Sequence, residues 1–199
     1  MNQAQRITQA LLKPRQIDIE LLGRELDAMT HVERVGAVHA MTGRQQARLW
    51  EASIGRVSRL TDIVPDHIPR DTEVVHEGKN SLPLFTHFQK RFIRPTEDDS
   101  VLYGYNEGLT RHLIGPGYFV AEYFEPRGEV GVNYYKVPPV ESRLARGWPK
   151  IKRNEDGIQQ LVYSKMIDYL RKVSNHVTIG CAYKHGQKTP NYFLLARTD

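Results

Sequence analysis

The sequence predicts an α+β chain in which a helical N-terminal cap precedes a curved, mainly antiparallel six-stranded sheet that closes toward a barrel. One long helix is expected before the last hairpin. Three observations predict this. Before Leu84 the only aromatic residue is Trp50, whereas all ten tyrosines and all six phenylalanines follow it. Apolar residues recur at helical spacing up to Leu60, among Ala, Leu, Gln, Glu and Arg, the straight-chain helix formers. Beyond Pro65 and Pro69 the period shortens toward two.

Ile7, Ala10 and Leu11 form a first short helical stripe, which Pro14 interrupts. Ile17, Leu21, Leu22 and Leu26 resume a helical face. A third helix is expected to start at Thr30, with Glu33 at the capping-box position, and a fourth at Thr42, running through Leu49 and Trp50. The first strand is read over 84–94, where Leu84, Phe88 and Phe92 alternate with His87, Gln89 and Arg91. Val101, Tyr103 and Tyr105 suggest a second, 118–125 a third and 130–137 a fourth, with Arg127-Gly128 as the turn between the last two. Pro138 and Pro139 stop the sheet. A helix over 157–174 would place Met166, Tyr169, Leu170 and Val173 on one face. Strands over 177–183 and 192–197, joined by a polar turn over 184–190, complete the set. The whole is read as one domain, 1–199, with a helical subregion over 1–64 and sheet plus helix over 70–199, because some 60 helical residues bury little core alone.

Composition narrows the function classes. With 40% hydrophobic and 26% charged residues, neither disorder nor a membrane span is expected. The polar N-terminus has no apolar signal region, and Cys181 as the only cysteine rules out an internal disulfide, so a cytoplasmic protein is expected. The formal charge of +5 permits an acidic partner without arguing for one.

No motif assigns an activity, and no cofactor is indicated. The eight histidines lack HExxH or other ligand spacing, so no metal site is expected. Cys181 sits in the apolar alternation of a strand and reads as core. The leading expectation is a small-molecule-binding domain. Its aromatic-lined pocket would lie between the concave sheet and the helix over 157–174, with Tyr103, Tyr105, Asn106, Arg111, His112 and Tyr118 as polar contacts. Tyrosines on strands supply rings with polar tips, and the glycine-bounded stretch 104–117 gathers Asn106, Glu107, Arg111 and His112 between two strands. A second expectation is an enzyme in which Glu107 and His112 divide acid and base work. A third is an accessory protein that meets acidic surfaces or nucleic acid through Arg143, Arg146, Lys150, Lys152 and Arg153 around Trp148, with Lys90, Arg91 and Arg94 as a second basic patch. Against this third reading, the sequence lacks any recognised nucleic-acid-binding pattern.

Overall fold

The computed structural model describes residues 2–198 except 14, 84–85, 109–110, 112–114 and 156–164. The helical part follows its capping signals. α1 (Gln3–Leu11) starts at Asn2, α2 (Ile19–Ala28) at Asp18, α3 (His31–His39) at Thr30 and α4 (Gly43–Ala52) at Thr42. In each, the cap side chain accepts from a backbone N–H of the first turn, which satisfies a donor that the helix cannot. Thr30 with Glu33 forms the expected capping box. A short α5 (Leu60–Ile63) follows.

The sheet is a closed antiparallel barrel of eight strands in chain order, not an open or partly closed six. β1 (Val74–Asn80), β2 (His87–Ile93), β3 (Val101–Glu107), β4 (Phe119–Phe124), β5 (Glu129–Asn133), β6 (Met166–Lys172), β7 (Val177–Lys184) and β8 (Gln187–Arg197) each pair with the next, and β8 returns to β1 with Arg197 opposite His76. Two strands were not expected. β1 places Val74, His76 and Gly78 on its buried positions, too few apolar residues to announce a strand. β6 lies where the helix over 157–174 was read: 166–172 is extended and paired on both sides, and 156–164 falls outside the described residues. The pocket expected between sheet and helix therefore has no helix to form it from 166 onward. The β7–β8 connection is also tighter than the expected 184–190 turn, with His185 and Gly186 alone at the bend, both at positive φ as a two-residue hairpin demands.

Alternation sends one side of each strand into the barrel and the other outward. Inside lie Val74, Phe92, Leu102, Phe119, Ala121, Val130, Val132, Tyr134, Leu170, Phe193 and Leu195. The barrel makes room for its rings at glycines: a Cβ on Gly104 would stand 2.4 Å from the Phe119 ring, and one on Gly180 2.2 Å from that of Phe193. Outside, Val177, Ile179, Cys181, Leu194 and Ala196 of β7 and β8 are covered by Leu12, Leu22, Leu26, Val38, Leu49 and Trp50 of the helices. A third cluster covers the outer side of β3 and β4, where Leu144, Ala145 and Trp148 lie on Ile93, Tyr103 and Val120.

One end of the barrel is stoppered. Ile63 and Val64, from α5 and just beyond it, join the interior cluster. The carbonyls at the end of this helix accept from the barrel wall: Asp62 from Arg197 Nη1 at 2.7 Å, Ile63 from His76 Nε2 at 2.9 Å and Val64 from Arg94. Cationic donors at a helix C-terminus meet the negative end of its dipole. The opposite end is bordered by the β1–β2, β3–β4, β5–β6 and β7–β8 connections and forms the mouth.

Candidate functional site

Four polar side chains meet inside the barrel, on the mouth side of the stopper. Lys90 of β2 and Asp168 of β6 come from strands that stand opposite each other in the eight-strand ring. Their side chains bridge the lumen, with Nζ to Oδ2 at 3.2 Å. Asn106 of β3 accepts from Lys90 Nζ at 2.9 Å through Oδ1, and Lys90 also bonds the Tyr134 hydroxyl, just beyond β5. Asn106 Nδ2 donates to the same hydroxyl at 3.1 Å, which lies 3.3 Å from Asp168 Oδ2. Lys90 is 2% exposed, Asp168 3% and Tyr134 3%.

The surroundings of the amine are aromatic. The rings of Phe88, Phe119, Tyr134 and Phe193 have their centres 5.7, 5.1, 5.0 and 5.1 Å from Nζ, within reach of a cation–π contact. Burial pushes the Lys90 amine below its usual range against the opposing pull of Asp168. It pushes the Asp168 carboxyl upward against Lys90 and Tyr134. Both shifts favour moving one proton from amine to carboxylate, which leaves the pair without formal charges. The second carboxylate oxygen, Asp168 Oδ1, is buried without a hydrogen-bond partner, a costly arrangement for a polar atom unless something else meets it.

The expected site residues divide across the barrel wall. Asn106 is in the lumen and belongs to this network. Tyr103 packs on the outer side with Ile93 and Val120. Tyr105 and Tyr118 stack against Trp148, at ring centroid distances of 4.9 and 6.3 Å. Burial raises the Tyr105 hydroxyl to about 12 and that of Tyr118 further still, while the Tyr118 hydroxyl donates to the Pro149 carbonyl. Glu107 is engaged locally, accepting from Arg111 Nε at 2.8 Å, from Gly108 N at 3.0 Å and from the Tyr105 hydroxyl at 3.2 Å. His112, the other half of the expected acid–base pair and a proposed ligand contact, lies outside the described residues.

The basic loop is also tied down. Trp148 Nε1 donates to Glu73 at 2.5 Å, Arg143 pairs with Asp71 and Arg153 with Glu155. Of the expected second basic patch, Lys90 is interior, Arg91 pairs with Glu73 and Arg94 with Asp66. A concentration of unpaired positive charge lies elsewhere. A hollow of about 540 Å³ beside α4 is lined by Lys13, Arg15, Arg44 and Arg48 with no acidic residue.

Lys90, Tyr134 and Asp168 were not named as site residues from the sequence. The signal for Lys90 was present, since it shares the parity of Phe88 and Phe92, the apolar face of its strand. Asp168 shares that of Met166 and Leu170, but only once 166–172 is read as a strand. No protein-family model matches the chain, and no curated protein or solved structure matches it either.

Proposed function

We propose that this chain is a small-molecule-binding barrel whose ligand enters at the mouth and is held by Lys90, Asp168, Tyr134 and Asn106, with Phe88, Phe119 and Phe193 against its apolar part. The observation that supports this reading is the ion pair across the lumen. Burying two charges is expensive, and an apolar filling of the same volume would often stabilise a barrel as well or better. A polar cluster retained at the centre, with Asp168 Oδ1 left unpartnered, fits a group that recognises something. The expected ligand carries a ring and a polar function able both to accept from Lys90 and to donate to Asp168.

Native mass spectrometry of gently purified protein, with a thermal-shift screen of ring-bearing metabolites, tests this. A stoichiometric bound compound, or a melting temperature raised in the wild type but not in a Lys90→Met/Asp168→Leu double variant, is expected. A barrel that stays empty and indifferent across the screen would overturn it.

A second reading, attachment to an acidic partner, is supported by the hollow at Lys13, Arg15, Arg44 and Arg48 rather than by the loop around Trp148. Retention on heparin that falls with salt and is weakened by Arg15→Glu with Arg44→Glu would favour it. Elution unchanged by the two substitutions would remove it.

A further inference from the structure

We infer that Lys90 is an imine-forming residue, condensing reversibly with the carbonyl carbon of an uncharged ring-bearing or conjugated aldehyde, with Asp168 and Tyr134 moving the protons. This rests on the small-molecule-binding reading and names the ligand class.

Charge balance selects the class. Lys90 is already matched by Asp168 at 3.2 Å, so a carboxylate or phosphate ligand would bring an uncompensated charge into an interior lined by Phe88, Phe119 and Phe193, at a cost of several kcal/mol. A neutral carbonyl brings none. The same rings offer a conjugated ligand the faces and edges that aromatic contacts use. The way in passes Phe88 and Met166, both half-buried at the mouth side of the interior cluster.

The chemistry balances within the named groups. Asp168 takes a proton from the Lys90 ammonium, directly or through the Tyr134 hydroxyl that lies between them. The free amine pair attacks the carbonyl carbon, and the oxygen takes a proton from the Asp168 carboxyl to give a carbinolamine. Loss of the second nitrogen proton and of the hydroxyl, together as water, leaves the C=N bond. Amine and aldehyde become imine and water, with no oxidant or reductant and no net change of charge. An amine depressed by burial supplies the free pair at neutral pH. Asp168 Oδ1, with no other partner, is the oxygen free to face the departing hydroxyl.

The full-length protein treated with cinnamaldehyde and sodium cyanoborohydride, then digested and mapped by mass, tests the inference. Reduction fixes the imine as a stable secondary amine. Lys90 is expected to acquire one adduct per chain, about tenfold faster than exposed Lys150 and Lys152, and Asp168→Asn to slow that labelling while leaving the exposed lysines unchanged. The Lys90→Met/Asp168→Leu double variant, in which no charge is stranded, serves as the unlabelled control. Labelling at Lys90 no faster than at the exposed lysines would overturn the inference. If cinnamaldehyde and cinnamyl alcohol both raise the melting temperature without a Lys90 adduct, the barrel binds this class but forms no imine. If neither raises it and Lys90 stays unlabelled, the inference and the binding reading on which it rests both fail for conjugated ring compounds.

Discussion

At Lys90, the asymmetry between losing one partner and losing both decides what a substitution does. Lys90→Met strands the Asp168 carboxylate among rings, and a broken buried pair costs about 3–5 kcal/mol. Adding Asp168→Leu removes the stranded group, so the double variant is expected to regain most of that loss. Urea unfolding of the three proteins checks this, and a double variant as unstable as the single one would refute it. Cys181 gives a second residue-scale expectation. It is fully buried against the helices, and burial pushes its thiol up to about 12, so almost no thiolate exists at neutral pH. The native protein is expected to resist a thiol reagent such as dithionitrobenzoate and to react at one thiol per chain once unfolded. Rapid labelling under native conditions would contradict the packing of the helices on β7.

Among the elements, α3 meets the barrel through a histidine pair. The ring of His39, its last residue, lies 4.4 Å from that of His87 on β2. Burial, then the neighbouring His87, pushes His39 below its ordinary value, with Lys79 adding to this and Glu77 opposing it; burial and Lys79 do the same to His87. The unfolded chain therefore binds more protons than the folded one just below the ordinary histidine value of 6.5. Stability from this contact is complete above that value and is lost as the pH falls below it. The melting temperature is expected to drop on acidification from about pH 7.5 to 5.5, and less so in His87→Gln; equal slopes would dismiss the pair as a cause. The elements also show what was legible in the sequence. The four long helices were, because Thr30 with Glu33, Thr42 and the apolar spacing all point the same way. So was β2, with Phe88 and Phe92 alternating against Gln89 and Arg91. β1 was hidden because His76 and Gly78 occupy inward positions that an apolar residue would have advertised. β6 was mistaken for a helix because Asp168 breaks its alternation, leaving Met166, Tyr169, Leu170 and Val173 at three- and four-residue spacing. The polar residues that build the candidate site are thus the ones that disguised the strands bearing them. Asn106 could be named because it borders a glycine-bounded loop, whereas the partner of Lys90 sits four strands away around the ring, beyond the reach of any local pattern.

For the whole molecule, the helical cap is the cover of β7 and β8. Without it Val177, Ile179, Cys181, Leu194 and Ala196 would form one apolar surface on the outer wall, of the kind that drives association. A chain beginning at residue 70 is expected to be insoluble or oligomeric where the full chain is not, and size-exclusion chromatography decides between them. A monodisperse, folded barrel from 70 onward would show that the cap is dispensable.

The return of β8 to β1 also bears on how the chain acquires its shape. Every other ladder joins segments adjacent along the polypeptide, so the staves can zip up one after another, whereas the rung between His76 and Arg197 must wait for ends far apart in the chain to find each other. Until that last seam closes, the nascent sheet has two bare edges open to strands of other molecules. Refolding yield is therefore expected to suffer from crowding with its own kind during this interval, and the finished barrel to be spared.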